Sequence, residues 1–253
     1  MSEPVLEIRG VSKSFGALKA CDDISLEVRR GEVHALIGPN GAGKTTLIGQ
    51  ITGELAPDTG AILFEGRDIT ALATAARARL GLARSFQITS IFRSFTAQGN
   101  VALAVQATEP HSFHFWHAAQ RLARLQAPAR RRLGELGLGS RVGAIAAGMA
   151  HGEHRQLELA MALATEPSLL LLDEPMAGLG NEESQAMVQL LARLKGHYSI
   201  LLIEHDMDVV FTLADRISVL VQGRVIASGA AEAIRNDPLV REAYLGEDDD
   251  AEG

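Results

Sequence analysis

The chain has 253 residues, of which 47% are apolar and 22% charged, with a net charge of −7. That is one large domain or two small ones, with enough apolar material for a sizeable core, and it excludes disorder along the whole length. Glu247, Asp248, Asp249, Asp250 and Glu252 crowd into the last seven residues, so residues 1–246 carry about −2, a balance that excludes a protein built chiefly to grip nucleic acid.

The opening MSEPVLEIRG shows neither the basic start nor the apolar stretch of a secretory signal. Val5 and Ile8, then Ile24, Leu26 and Val28 in alternation, predict antiparallel, half-buried strands with a turn near Gly16. The lone cysteine between them, Cys21, permits no internal disulfide and points to a reducing, cytosolic compartment. VHALI (33–37), AILF (61–64), LLLL (169–172) and ILLI (200–203) are short apolar runs of the kind that suit strands buried on both faces of a parallel sheet. Helical patterns at 44–52, 153–164 and 182–195 lie between them, so the expected fold is α/β with a mainly parallel sheet. Residues 97–150 hold no convincing strand, are rich in Ala, Leu and Arg, and are punctuated at Pro110, Pro128 and Gly134. They read as a helical insertion. No apolar run approaches the roughly 18 residues of a bilayer span, so any membrane role is expected to be peripheral. The acidic tail after Gly246 is expected to be disordered.

GPNGAGKT (38–45) matches G-x-x-x-x-G-K-[ST], placed after one strand and opening a helix. Gly38, Gly41 and Gly43 let the backbone curl so that N–H groups face phosphate oxygens, and the helix start adds its dipole. Lys44 reaches the β- and γ-phosphates, and the Thr45 hydroxyl can ligate Mg²⁺. This is the signature of an ATP or GTP site, with contacts expected over Gly38, Pro39, Asn40, Gly41, Ala42, Gly43, Lys44, Thr45 and Thr46.

LLLLDEP (169–175) puts two carboxylates at the C-terminal end of a buried strand, where open α/β sheets bind ligands. Asp173 can hold Mg²⁺, and Glu174 can orient or deprotonate the water that attacks the γ-phosphate. Gln87 can reach metal and water from the side, with an exposed loop amide as its bland alternative. His205, after ILLI and Glu204, can donate to the γ-phosphate; alone it would read as a polar linker before a helix capped by Asp206.

Together and in this order, these pieces resemble the nucleotide-binding subunit of an ABC transporter, from about residue 5 to residue 246. The resemblance implies a P-loop NTPase core over 1–95 and 160–246, an antiparallel N-terminal β portion, and a helical signature subdomain over 96–159. It makes Phe15 the aromatic that stacks on adenine, Gln87 the loop glutamine joining subdomain to core, Glu174 the catalytic glutamate and His205 the switch histidine. MAHGEHRQLELA (149–160) stands where the family usually has LSGGQ, so Ala150, His151, Gly152 and Glu153 are expected to close on ATP held by the opposite subunit. Two departures stand out. Ala150 and His151 replace the usual serine and first glycine, and AGLG (177–180) ends in Gly180 where an aspartate is usual.

GLARSFQITSIFRSFTAQGNV (81–101), IEHDM (203–207) and RNDPLVREAYLG (235–246) are similar to the ATPase subunits of branched-chain amino-acid importers, whose relatives carry amides and urea. That likeness implies ATP and Mg²⁺ as cofactors, permease subunits and a second related ATPase as partners, and a solute-binding protein outside the membrane. The chain would then sit peripherally on the cytoplasmic face, without nucleic acid. A soluble ABC ATPase acting on DNA or ribosomes would need a coiled-coil insertion or a second cassette. A small-molecule kinase would not need Glu174 directly after Asp173. His111, His114 and His117 drift around a helix and are expected to be solvated, and the Arg121, Arg124, Arg130–Arg132 cluster reads first as a solvated face.

Overall fold

The computed structural model describes residues 3–85, 91–107 and 118–240, the side chains of 118–123 excepted. The acidic tail, Gln87, and the histidines at 111, 114 and 117 lie outside the described residues.

Two sheets form the frame. β1 (Pro4–Phe15), β2 (Leu18–Arg29), β4 (Thr59–Phe64) and β5 (Arg67–Asp68) make an antiparallel sheet in the order β2-β1-β4-β5. β3 (Val33–Ile37), β6 (Leu82–Ser85), β7 (Leu169–Asp173), β8 (Ser199–Ile203), β9 (Arg216–Val221) and β10 (Arg224–Ala230) make the second, in the order β10-β9-β3-β8-β7-β6. All of its pairings are parallel except β10 with β9.

Side-chain alternation explains why β7 is apolar throughout. Leu170 and Leu172 face the cluster built by the helices, while Leu169 and Leu171 face the cluster shared with the antiparallel sheet, and all four are buried. The expected α/β architecture is thus present, and the helices sort accordingly. α1 (Lys44–Thr52) contributes Leu47, Ile48 and Ile51 to the layer between the two sheets. α3 (Ala97–Ala107), α4 (Ala118–Glu135), α5 (His151–Ala164) and α6 (Asn181–Leu194) pack on the other face. The short α2 (Thr74–Arg79), α7 (Met207–Leu213) and α8 (Ala231–Arg235) complete the chain. No helix among the described residues is long and apolar enough to cross a membrane.

Two expectations are corrected. AILF (61–64) is not in the parallel sheet: β4 pairs antiparallel with β1 and β5, and only Ile62 and Phe64 are fully buried. Short apolar runs do not distinguish one-sided from two-sided burial. Pro128 and Gly134 do not punctuate the insertion either, because both lie inside α4. An interior proline costs a helix about 3 kcal/mol. Leu125, Ala129 and Leu133, one per turn, bury the face that offsets it.

Among the described residues Arg77 is the largest fully buried side chain, and it donates to the carbonyls of Gln50, Ile51, Thr70 and Leu72. Two of those acceptors lie in the last turn of α1, so the guanidinium satisfies carbonyls that a helix end leaves orphaned. The phosphate-loop helix is anchored from below. Because Leu171 sits centrally in the strand that carries the acid pair, Leu171→Ala is expected to destabilise the chain by about 2–5 kcal/mol. Urea unfolding followed by circular dichroism measures it.

Candidate nucleotide site

The loop between β3 and α1 is held by close backbone approach. A Cβ on Gly38 would come within 2.0 Å of the Leu220 carbonyl oxygen, and one on Gly43 (φ +105°) within 2.2 Å of the Ala20 carbonyl oxygen. Only glycine fits either position. Gly223 N–H donates to the Ala42 carbonyl at 2.9 Å and Asp22 N–H to the Gly223 carbonyl at 2.8 Å, so the β9–β10 turn and β2 brace the loop. The Lys44 ammonium folds over the loop, donating to the Pro39 carbonyl at 2.8 Å and to that of Gly38.

Beside the loop lies a cleft of about 590 Å³ that brings together Phe15, residues 40–46 and Glu174. Phe15 is half exposed at its mouth, with the Lys13 ammonium 5.9 Å from its ring centroid. The same cleft is lined by Leu18, Lys19 and Ala20 of β2 and by Gln222 and Gly223 of the β9–β10 turn. The sequence reading missed these. They carry no recognisable spacing, because β2 and a distant hairpin reach the loop only through the fold.

Asp173 ends β7 and Glu174 begins the turn beyond it. Glu174 has φ +50°, a left-handed backbone rare for a non-glycine residue and costing about 1–2 kcal/mol. Its N–H donates to the Ile203 carbonyl at 2.9 Å, and its carbonyl accepts from Ala177 N–H at 3.0 Å. Arg84, on the neighbouring β6, holds Asp173 Oδ2 at 3.0 Å and both oxygens of Glu54 at 2.8 and 3.0 Å. Burial pushes the Asp173 carboxyl above its ordinary range; Arg84 opposes this and Glu174 adds to it. Arg84 was not anticipated, since SFQ drew attention to Gln87 alone. His205 lies outside the 590 Å³ cleft: its side chain is 70% exposed at the start of the turn after β8. Asp206 caps α7 as expected, accepting from the N–H groups of Asp208 and Val209.

At the signature position, Ala150 is the N-cap of α5 and has no side-chain acceptor. Glu153 supplies the reverse half of a capping box, accepting from Ala150 N–H at 2.9 Å while paired with Arg141 at 2.7 Å. Burial pushes the Glu153 carboxyl up, but the Ala150 amide and Arg141 outweigh it and hold it below its ordinary range. The N–H groups at this helix start are not all free: Gly152 N–H donates to Glu183 Oε1 at 3.2 Å. Glu183 Oε2 accepts from Gly180 N–H, also at 3.2 Å, so one carboxylate bridges the starts of α5 and α6. His151 packs against Gly178 (φ +77°), where a Cβ would come within 3.1 Å of the ring.

The family model for the ABC transporter matches residues 21–177, which span the phosphate loop, the signature position and the acid pair. The chain belongs to the ABC transporter family. A second model, the branched-chain amino acid ATP-binding cassette transporter, matches residues 224–250 of this ABC chain. The high-affinity branched-chain amino acid transport ATP-binding protein LivG of Salmonella typhimurium is 40% identical, over 98% of this chain and all of the relative. LivG of Escherichia coli is 39% and BraF of Pseudomonas aeruginosa 38% identical over the same shares. A crystal structure of the ADP conformation of an ATP-binding cassette of an ABC transporter superposes with a TM-score of 0.84 at 30% identity, covering 97% of this chain and 100% of that one. A nucleotide-free cassette gives 0.83 at 29%, covering 96% and 99%.

Because Glu183 caps two helix starts at once, Glu183→Ala is expected to cost about 1–2 kcal/mol, the scale of lost N-caps. Thermal unfolding of Glu183→Ala beside Glu182→Ala, one residue away on the same exposed turn, measures the difference.

Proposed function

We propose that this chain binds and hydrolyses ATP to energise an importer of small solutes, with branched-chain amino acids or related amides as the class carried. The observation that carries the reading is 38–40% identity over nearly the whole chain to branched-chain amino acid transport ATP-binding proteins, joined to the match at 224–250.

In this reading the adenine stacks on Phe15 and the phosphates lie in the 38–46 loop, with Lys44 against the β/γ oxygens. Glu174 orients the attacking water and accepts its proton, and in-line displacement at the γ-phosphate then proceeds mainly by positioning and charge stabilisation. His205 donates to the γ-phosphate. Thr45, Asp173 and Gln87 are hard oxygen donors that suit Mg²⁺, which when bound neutralises charge on the β- and γ-phosphates. Ala150, His151, Gly152 and Glu153 face ATP held by a second ATPase subunit. Ala150, His151 and Gly180 make this chain's own signature side atypical, which favours a related but different subunit as that partner. The cycle reaches permease subunits through the helical insertion; Ile145 within it and Phe92 and Phe95 just before it stay about half exposed, the two rings 5.5 Å apart. Within the basic cluster, Arg131 and Arg132 both pair with Glu135. A solute-binding protein outside the membrane would complete the system, with this chain on the cytoplasmic face.

Lys44→Ala is expected to abolish high-affinity ATP binding in titration calorimetry, because it removes the fixed charge on the β/γ oxygens. Glu174→Gln is expected to bind ATP yet turn over at least roughly a hundredfold more slowly. Gel filtration of the lone chain with Mg-ATP is expected to show a monomer or weak dimer with slow turnover that rises in the assembled transporter. A stable ATP-dependent homodimer of Glu174→Gln with fast wild-type turnover would defeat the heteromeric arrangement.

A further inference from the structure

Glu204, in IEHD (203–206), sits in an unusual environment. It follows β8, it is 1% exposed, and nothing in the loop or the acid pair requires a carboxylate there. Its Oε1 accepts from Met176 N–H at 3.0 Å, across the turn that begins with Glu174. Its Oε2 accepts from His205 N–H at 3.2 Å and lies 3.8 Å from His205 Nδ1. The two turns are therefore joined twice, once by the Glu174 N–H to Ile203 carbonyl bond and once through this side chain.

We propose that Glu204 is a positioning residue for ATP hydrolysis, clamping the turn that holds Glu174 in its left-handed backbone and orienting the His205 ring. The inference rests on the ATPase reading above and deepens it. Left to itself, a non-glycine residue at φ +50° relaxes toward ordinary backbone, so the turn needs fixed partners on both sides. The Ile203 carbonyl supplies one and the Glu204 carboxylate the other. By facing the Nδ1 edge of His205, the carboxylate leaves Nε2 as the ring nitrogen available to a γ-phosphate. Burial pushes the Glu204 carboxyl above its ordinary range, against the pull of the Met176 and His205 amides. The two carboxyl oxygens together reach the Met176 amide, the His205 amide and the Nδ1 edge of the ring, a set of contacts that a side chain with one acceptor could not make.

The test compares wild type, Glu204→Gln, His205→Ala and the double variant as full chains with Mg-ATP, with and without permease. Glu204→Gln keeps an oxygen for Met176 N–H and loses the charge beside His205. It is expected to lower kcat about ten- to a hundredfold with KM within about twofold and an unchanged melting temperature. In the His205→Ala background it is expected to lower kcat by much less than in the wild type, since part of its effect runs through the ring. Full kcat in Glu204→Gln would overturn the inference while leaving the ATPase reading intact. So would a loss that tracks a fall in melting temperature and ATP affinity, or one that adds fully to His205→Ala. A wild-type chain that hydrolyses no ATP in either setting would overturn the ATPase reading and this inference with it.

Discussion

Everything at the site depends on the parallel register of three adjacent strands. Leu36 of β3 stands beside Ile203 of β8, and Ile203 stands beside Asp173 of β7. Neighbouring strands lie about 4.8 Å apart. Three loops therefore leave one edge of the sheet side by side: the glycine loop after Ile37, the acid turn after Asp173 and the Glu204–His205 turn after Ile203. A one-residue slip in any pairing would send the acids to the wrong face. The leucines and isoleucines that fix the register are buried on both faces, so the core sets the geometry of the chemistry.

Much of this was legible in residue order. VHALI, LLLL and ILLI became β3, β7 and β8, each end within one residue of its run, because two-sided burial forces unbroken apolar runs. The glycine loop was legible because phosphate-facing backbone demands glycine at fixed spacings. β6 and β9 were not legible: Arg84 and Ser85 interrupt one, Arg216 and Ser218 the other, and Arg84, Arg216 and Ser218 meet distant partners only in the folded sheet. Ser218 meets His34 at 2.8 Å and Ser228 at 2.8 Å, contacts that no local pattern announces. The wall of the cleft formed by Leu18 and Gln222 was hidden for the same reason, since the two are some two hundred residues apart in the chain.

The signature end shows the opposite balance, in which family resemblance located the segment and the structure supplied its physics. Ala150 leaves the start of α5 without an N-cap side chain, and Glu153 with Glu183 make up part of the loss. Glu183 also accepts from Gly180 N–H at the start of α6, so the end of the 177–180 loop and the start of α5 share one carboxylate. His151 against Gly178 reinforces the same junction. These contacts fasten the start of α5 to the 177–180 loop by carboxylates and a ring.

One sheet edge gathers the loop, the acid turn and the Glu204 turn side by side, so they are expected to respond to nucleotide as a single unit. Amide hydrogen exchange on the full chain, with and without Mg-ATP, tests it most directly, because exchange reports local opening segment by segment. Protection is predicted to rise together in 38–46, 174–177 and 204–206 on addition of Mg-ATP, with the outer strands β5 and β10 unchanged. Protection confined to the 38–46 loop, with the other two turns unmoved, would contradict the account.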